Sequence, residues 1–340
     1  MLHRKRLAFL LPALLSATCA VAGEPGAPSP APRGSEPALR QGAAVGRHLR
    51  PEDRLGVLLD HPAFAGHSRL LLPWDGRDYD RDMPLARIGS LLPYHSHVVP
   101  SVVVAGLNRM VDDVSAGRTV FLDFHTAQQK RADPAKAHTG LFFFRGRPGA
   151  PFAVIAPGGG FSYVGSVHEG FPYALEINRR GFNAFVLKYR AGLGGQAATE
   201  DLAAAVSYLL RHAAELDIAA TGYSLWGSSA GARMAAAIGS HGLRAFGGDD
   251  GPKPAAVVMA YTGHSDHAAV EPPTYVVVGE QDGIAPPAVM ERRVAALRAQ
   301  GTRVAYQRVA GVGHGFGTGE GTRAQGWIDQ AARFWEDALR

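Results

Sequence analysis

One cysteine, Cys19, is all the thiol this 340-residue chain carries, and its position decides what that scarcity excludes. Arg4, Lys5 and Arg6 precede it, then an apolar run from Leu7 to Leu15. Ala20-Val21-Ala22 follows, the small-x-small pattern that signal peptidase cleaves. Residues 1–22 therefore read as a secretory signal, and the protein is expected to be secreted or periplasmic. Cleavage after Ala22 discards Cys19, which excludes disulfides and a cysteine nucleophile from the mature chain. A lipid anchor on Cys19 is the alternative, but Thr18 is a poor fit to the small residue such processing wants. No uninterrupted apolar stretch of about 18 residues exists, so no stable membrane span is expected. Basic residues outnumber acidic ones by only 35 to 30, and without the three in the signal by 32 to 30. That balance leaves no electrostatic footprint for nucleic acid. Internal repeats are also missing, which excludes propellers and solenoids.

What is present divides the chain. Residues 23–48 are rich in Pro, Gly, Ala and Ser, a composition unable to bury enough apolar surface to order itself, and read as a flexible linker. Residues 49–117 are less regular and read as an N-terminal extension or cap packing on the main domain. Val103, Leu107, Met110, Val111 and Val114 in it fall at helical spacing. Asp78-Tyr79-Asp80-Arg81-Asp82 begins like a calcium loop, yet Met83 stands where a glycine is needed and Gly89 where a glutamate is needed. It reads as a solvated turn with local salt bridges. His95 and His97 alternate as two metal ligands on one extended face would, but no third ligand is near.

From residue 118 to 340 strand and helix patterns alternate. Thr119–Phe124 and Gly140–Arg145 suggest an antiparallel start. The later strands are Phe152–Ala156, Asn183–Tyr189, Tyr223–Trp226, Ala255–Tyr261, Thr274–Val278 and Val304–Val309. The helices fall at about His168–Arg180, Glu200–Leu216, Ala230–Ile238, Pro287–Gln300 and Gln325–Leu339. Continuous apolar strands separated by helices predict an α/β fold, a mostly parallel, doubly wound sheet covered on both faces. Such sheets bind ligands at the carboxyl ends of their strands.

Three features stand at predicted strand ends. Gly227-Ser228-Ser229-Ala230-Gly231 is a G-x-S-x-G pattern centred on Ser229, whose hydroxyl such a turn exposes, with the Ala230 N–H at a helix start where it can stabilise an oxyanion. Centring on Ser228 would place Trp226 in a turn with no room for an indole. Pro157-Gly158-Gly159-Gly160-Phe161 follows Phe152–Ala156 and offers backbone N–H groups at close approach. It lacks the Lys-Ser/Thr of a phosphate loop. Asp282 lies just past Thr274–Val278, with Asp266 as rival acid and Glu280 read as structural. Of fourteen histidines only His314 lies after Asp282, in a glycine-rich loop flexible enough for an imidazole to swing toward Ser229. His168-Glu169-Gly170-Phe171 either lines the pocket or, more simply, caps the following helix.

Residues 118–340 resemble an α/β-hydrolase-fold serine esterase. More narrowly, they are similar to bacterial esterase/lipase-type enzymes assigned as acetyl or xylan-debranching esterases, with Pro157 replacing the histidine of the His-Gly-Gly-Gly opening in hormone-sensitive-lipase relatives. The resemblance implies Ser229 as nucleophile, His314 as base, Asp282 as acid, and the N–H groups of Ala230 and of Gly159 or Gly160 as oxyanion donors. It implies hydrolysis of short-chain acyl esters, acetyl included, on a small-molecule or carbohydrate substrate, without metal or cofactor. The weighed alternatives are a peptidase of the same fold, a non-catalytic binding protein keeping the fold, and a metal-dependent hydrolase using His264, Asp266 and His267.

Overall fold

A computed structural model describes residues 45–340; the predicted signal, Cys19 and most of the linker lie outside the described residues. Eight strands form one sheet: β1 (Phe121–Leu122), β2 (Gly140–Phe144), β3 (Phe152–Ala156), β4 (Asn183–Lys188), β5 (Ser224–Ser228), β6 (Ala256–Ala260), β7 (Thr274–Gly279) and β8 (Val304–Val309). Their spatial order is β1-β2-β4-β3-β5-β6-β7-β8. β2 is antiparallel to both its neighbours, and every pair from β4 onward is parallel. The predicted antiparallel start is present, although only Phe121 and Leu122 of the expected first strand enter the ladder.

The continuous apolar strands resolve into two faces with period two. Ala184 and Val186 of β4, with Ala256, Val258 and Ala260 of β6, face one core, while Phe185, Leu187, Val257 and Met259 face the other. Helices α5 (Gly194–Arg211), α6 (Ala230–His241) and α7 (Pro287–Ala299) cover the second face. On the first lie α2 (Pro100–Ser115), α4 (Phe171–Arg179) and α8 (Trp327–Ala338). Two short helices, α1 (Leu55–Leu59) and α3 (Ala127–Ala132), lie before β2. Helix α5 starts six residues before its predicted start at Glu200, with Gly194 and Gly195 in its first turn. Among the described residues no helix is long and apolar enough to cross a membrane.

The N-terminal segment is built into this core. The helical spacing at 103–114 becomes α2, whose Val103, Leu107, Met110 and Val111 are buried, and Asn108 exchanges two hydrogen bonds with the Leu49 backbone. The segment is also held by a buried cation. Lys188, at the end of β4, has no solvent exposure, and burial lowers its pKa. Its ammonium donates to the carbonyls of Leu72 and Pro73 at 3.0 and 3.2 Å and lies 3.0 Å from the Asp75 carboxylate. Arg54–Asp82 and Arg81–Asp60 bridges tie the acidic turn to the chain around α1, at solvent-exposed side chains.

Asp75→Ala leaves a buried ammonium with two carbonyls and no counter-charge. Breaking a buried pair costs about 3–5 kcal/mol, and the surviving carbonyls place this site at about 3. Equilibrium urea unfolding measures it, and a loss under about 1 kcal/mol shows that the carbonyls alone hold the lysine.

Candidate active site

Strand β5 ends at Ser228 and α6 begins at Ala230, so the whole reversal falls on Ser229, which adopts φ 50° and ψ −113°. That is a strained conformation for a residue with a side chain. The flanking glycines make it possible. A Cβ on Gly231 would lie 1.8 Å from the Ala156 carbonyl oxygen, and one on Gly227 would lie 2.3 Å from the Gly231 backbone. Ser228 is fully buried, its hydroxyl 3.0 Å from that of Tyr173, so of the two adjacent serines only Ser229 faces the site.

The structure brings Ser229, His314 and Asp282 together. His314 Nε2 lies 3.0 Å from Ser229 Oγ, and His314 Nδ1 lies 2.8 Å from Asp282 Oδ2. Asp282 is only 4% exposed, and its other oxygen accepts from the N–H groups of Ile284 and Ala285 at 2.9 and 2.7 Å. The carboxylate is thereby fixed with one oxygen free to accept Nδ1–H, which leaves Nε2 as the acceptor facing the serine. The rival Asp266 pairs instead with His241 at 2.8 Å.

The His314 loop does not need to swing, contrary to the sequence-based expectation. Ser96 donates from its hydroxyl to the His314 carbonyl at 2.8 Å and from its N–H to the Gly315 carbonyl at 2.9 Å, and His168 Nε2 meets that same carbonyl at 3.0 Å. The Tyr261 ring packs edge-on against the imidazole, 5.2 Å between centroids.

In the glycine loop, Gly159 and Gly160 take φ of 135° and 63°, conformations open to glycine. Gly158 N–H donates to Glu169 Oε2 at 2.5 Å, so that amide is committed and is not among the loop's available donors. Ala230 supplies an N–H at the first turn of α6. Tyr94, 46% exposed, lies beside Gly160 at the mouth.

Sequence reasoning missed the polar layer beneath the site. Glu169 neither lines the pocket nor caps α4. It sits in a single π-helical turn, Ser166–Gly170, and is wholly buried. Besides Gly158, it accepts from the Tyr261 hydroxyl at 2.7 Å and lies 3.0 Å from His95 Nε2. Burial alone would raise its pKa, but His95, His168 and the Tyr261 hydroxyl hold it at about 2. His168 is pushed the other way, to about 4, by burial and by neighbouring His95. The available signal was the presence of an ionisable pair, His168-Glu169, directly after a glycine loop in an otherwise apolar stretch. His95 and His97 do not share a face: the His95 ring is buried against Glu169, while His97 turns outward at φ 54°. Among the described residues no group of three or more His, Cys, Asp or Glu is placed to hold a metal ion. His264, half-buried, has its pKa lowered to about 4 by burial and by Arg293 and Arg233.

The family model BD-FAE matches residues 146–253, which carry β3, the glycine loop and Ser229 but neither Asp282 nor His314. No curated protein matches the chain. Among solved structures, the chain is similar to MGS-M1, an α/β-hydrolase enzyme from a Medee basin deep-sea metagenome library. Identity is 22%, covering 59% of this chain and 93% of that one, with a TM-score of 0.52. Esterase 2 of Thermogutta terrifontis, phosphonylated by cyclosarin, gives 20%, 58%, 89% and 0.53 for the same four quantities. An acetyl ester-xyloside bifunctional hydrolase from Caldicellulosiruptor lactoaceticus gives 18%, 64%, 95% and 0.56. At these identities the likeness is one of architecture, and the chain has the α/β-hydrolase fold with an N-terminal extension.

Acid should loosen this structure in two stages. His168 and His264 protonate less readily folded than unfolded, so the unfolded chain takes up protons first and stability falls as pH drops from about 6.5 to about 4. The stabilisation from ionised Glu169 is complete above about 4.5 and is lost as pH falls through about 2. In calorimetry at stepped pH, Glu169→Gln should melt below wild type at neutrality and converge on it toward the acid end. Parallel curves would refute the assignment to Glu169.

Proposed function

We propose that this chain is a secreted serine carboxylesterase that hydrolyses short-chain acyl esters, acetyl esters among them, through a Ser-His-Asp triad and an acyl-enzyme. The observation that carries the reading is the linked pair of contacts, 3.0 Å from Ser229 to His314 and 2.8 Å from His314 to Asp282, on a strained strand-to-helix turn. A hydroxyl held against an imidazole acceptor, itself oriented by a buried carboxylate, is the arrangement that activates serine as a nucleophile.

In this mechanism His314 Nε2 takes the Ser229 proton as Oγ attacks the ester carbonyl. The imidazolium is stabilised across Nδ1–H by the Asp282 carboxylate, whose other oxygen accepts from two backbone N–H groups. The developing oxyanion is held by the N–H groups of Ala230 and of Gly159 or Gly160. His314 then protonates the departing alcohol, and a water activated by the same nitrogen releases the acid from the acyl-enzyme. Acetyl preference and a carbohydrate substrate draw support from the Caldicellulosiruptor hydrolase, whose own description is acetyl ester-xyloside. Secretion draws support from the pattern of residues 4–22.

A panel of nitrophenyl esters from acetate to decanoate, with acetylated xylan and a nitroanilide alongside, tests the reading. Ser229→Ala should fall to background, Asp282→Asn should lose on the order of 10⁴ in turnover, and the nitroanilide should react far more slowly than the esters. Wild-type rates in Ser229→Ala remove the nucleophile, and a maximum at decanoate removes the short-chain preference. N-terminal sequencing of exported protein should begin at Gly23.

A further inference from the structure

Four separated stretches of chain meet at one buried carboxylate, and the directions of the hydrogen bonds made by its tyrosine partner follow from the single proton each hydroxyl carries. Gly158 N–H donates to Glu169 Oε2 at 2.5 Å. The single hydroxyl proton of Tyr261 goes to Oε1 at 2.7 Å, so the Tyr261 oxygen accepts from Tyr173 at 2.8 Å. Tyr173 in turn accepts from Ser228 at 3.0 Å, the residue before the nucleophile. Burial, with the nearby Glu169 charge, raises the pKa of both tyrosines well above 10.0, which keeps them as donors. From the N-terminal segment, Tyr94 N–H donates to the Tyr163 oxygen at 3.1 Å, His95 Nδ1 lies 2.9 Å from that same oxygen, and His95 Nε2–H reaches Glu169 Oε1 at 3.0 Å. The Gly158 amide, the Tyr261 hydroxyl and His95 Nε2–H all donate to Glu169, while the Tyr173 hydroxyl also lies 3.2 Å from the Gly317 carbonyl.

A peptide plane held at one end has its neighbours' orientation restricted. With the Gly158 N–H turned down onto Glu169, and Ser162 and Tyr163 both donating to the Gly159 carbonyl at 3.0 and 3.2 Å, the Gly159 and Gly160 amides are confined between two anchors. Oxyanion stabilisation depends on donors fixed before the reaction. We propose that Glu169 is the positioning residue of the oxyanion loop and that His95, delivered by the N-terminal segment, completes its site, so that this segment is a working part of the catalytic apparatus. This rests on the serine-esterase reading of the site.

The test compares Glu169→Gln, Glu169→Ala and His95→Phe with wild type in the full chain, with thermal melts to establish folding. The glutamine variant keeps shape and one acceptor, which guards against an alanine variant that does not fold. Turnover should fall by about 10²-fold in Glu169→Ala and about 10-fold in Glu169→Gln, with KM within about threefold, because the donors matter most when charge develops. Affinity for a trifluoromethyl ketone should fall in parallel with kcat/KM. Amide hydrogen exchange over residues 157–163 should quicken in the glutamic acid variants and in His95→Phe. A folded Glu169→Gln with wild-type turnover, or with unchanged exchange in that peptide, overturns the proposal. Ser229→Ala, run in parallel, separates the two readings: if it keeps wild-type rates, the esterase reading fails, while the exchange data still decide whether Glu169 holds the loop.

Discussion

Of the described glycines, Gly231 has least room for a side chain: at the start of α6 it packs so close to the end of β3 that a Cβ would lie 1.8 Å from the Ala156 carbonyl oxygen. It drives the chain from strand to helix within one residue. Ser229 absorbs the reversal at φ 50°, a strain of about 1–3 kcal/mol that survives only where the surroundings over-determine it. Here they do. Its N–H donates to the Ala260 carbonyl at 2.8 Å, and β5 lies between β3 and β6 in continuous register. The strain is held by the sheet, and the hydroxyl is presented without any motion of the backbone.

The same sheet edge then sets how much help each remaining residue needs. Ser229 lies one residue past β5, Asp282 three past β7 and His314 five past β8. Uncertainty in position grows with distance from a strand, and the number of fixing contacts grows with it. Asp282 is secured locally, by amides two and three residues on. His314 is secured from across the molecule, by Ser96 on its own carbonyl, Ser96 and His168 on that of Gly315, and the Tyr261 ring. In the proposed mechanism His314 receives and returns a proton in each cycle and would gain by such fixing, because a small misplacement costs rate steeply.

This gradient also explains which parts were legible in the sequence. The turn at Ser229 obeys a local steric rule, so two glycines sufficed to place it, and chain order sufficed for His314. Apolar runs located the strands because both sheet faces are covered. Failures came where a local rule met a distant partner. Helix α5 begins at Gly194 and not at the predicted Glu200. His95 and His97 look like one face of an extended segment, but the positive φ of His97 breaks the alternation on which that reading depends. Glu169 looks like a capping residue, since its partners at 95, 158 and 261 are joined only by the tertiary fold.

The N-terminal segment reads differently once these partners are counted. A lid must leave its seat at modest cost. Lifting residues 72–96 away would strip Lys188 of both carbonyls and Asp75, Glu169 of His95, and the His314 loop of Ser96. It would also expose the buried Leu72, Leu85, Ile88 and Leu92, at about 1.5–3 kcal/mol apiece, which together is a large part of a domain's whole stability. A motion with that penalty would be populated too rarely to recur in each cycle of the proposed reaction. The segment is therefore packed as a fixed wall, and its exposed Tyr94 ring stands beside Gly160 of the glycine loop.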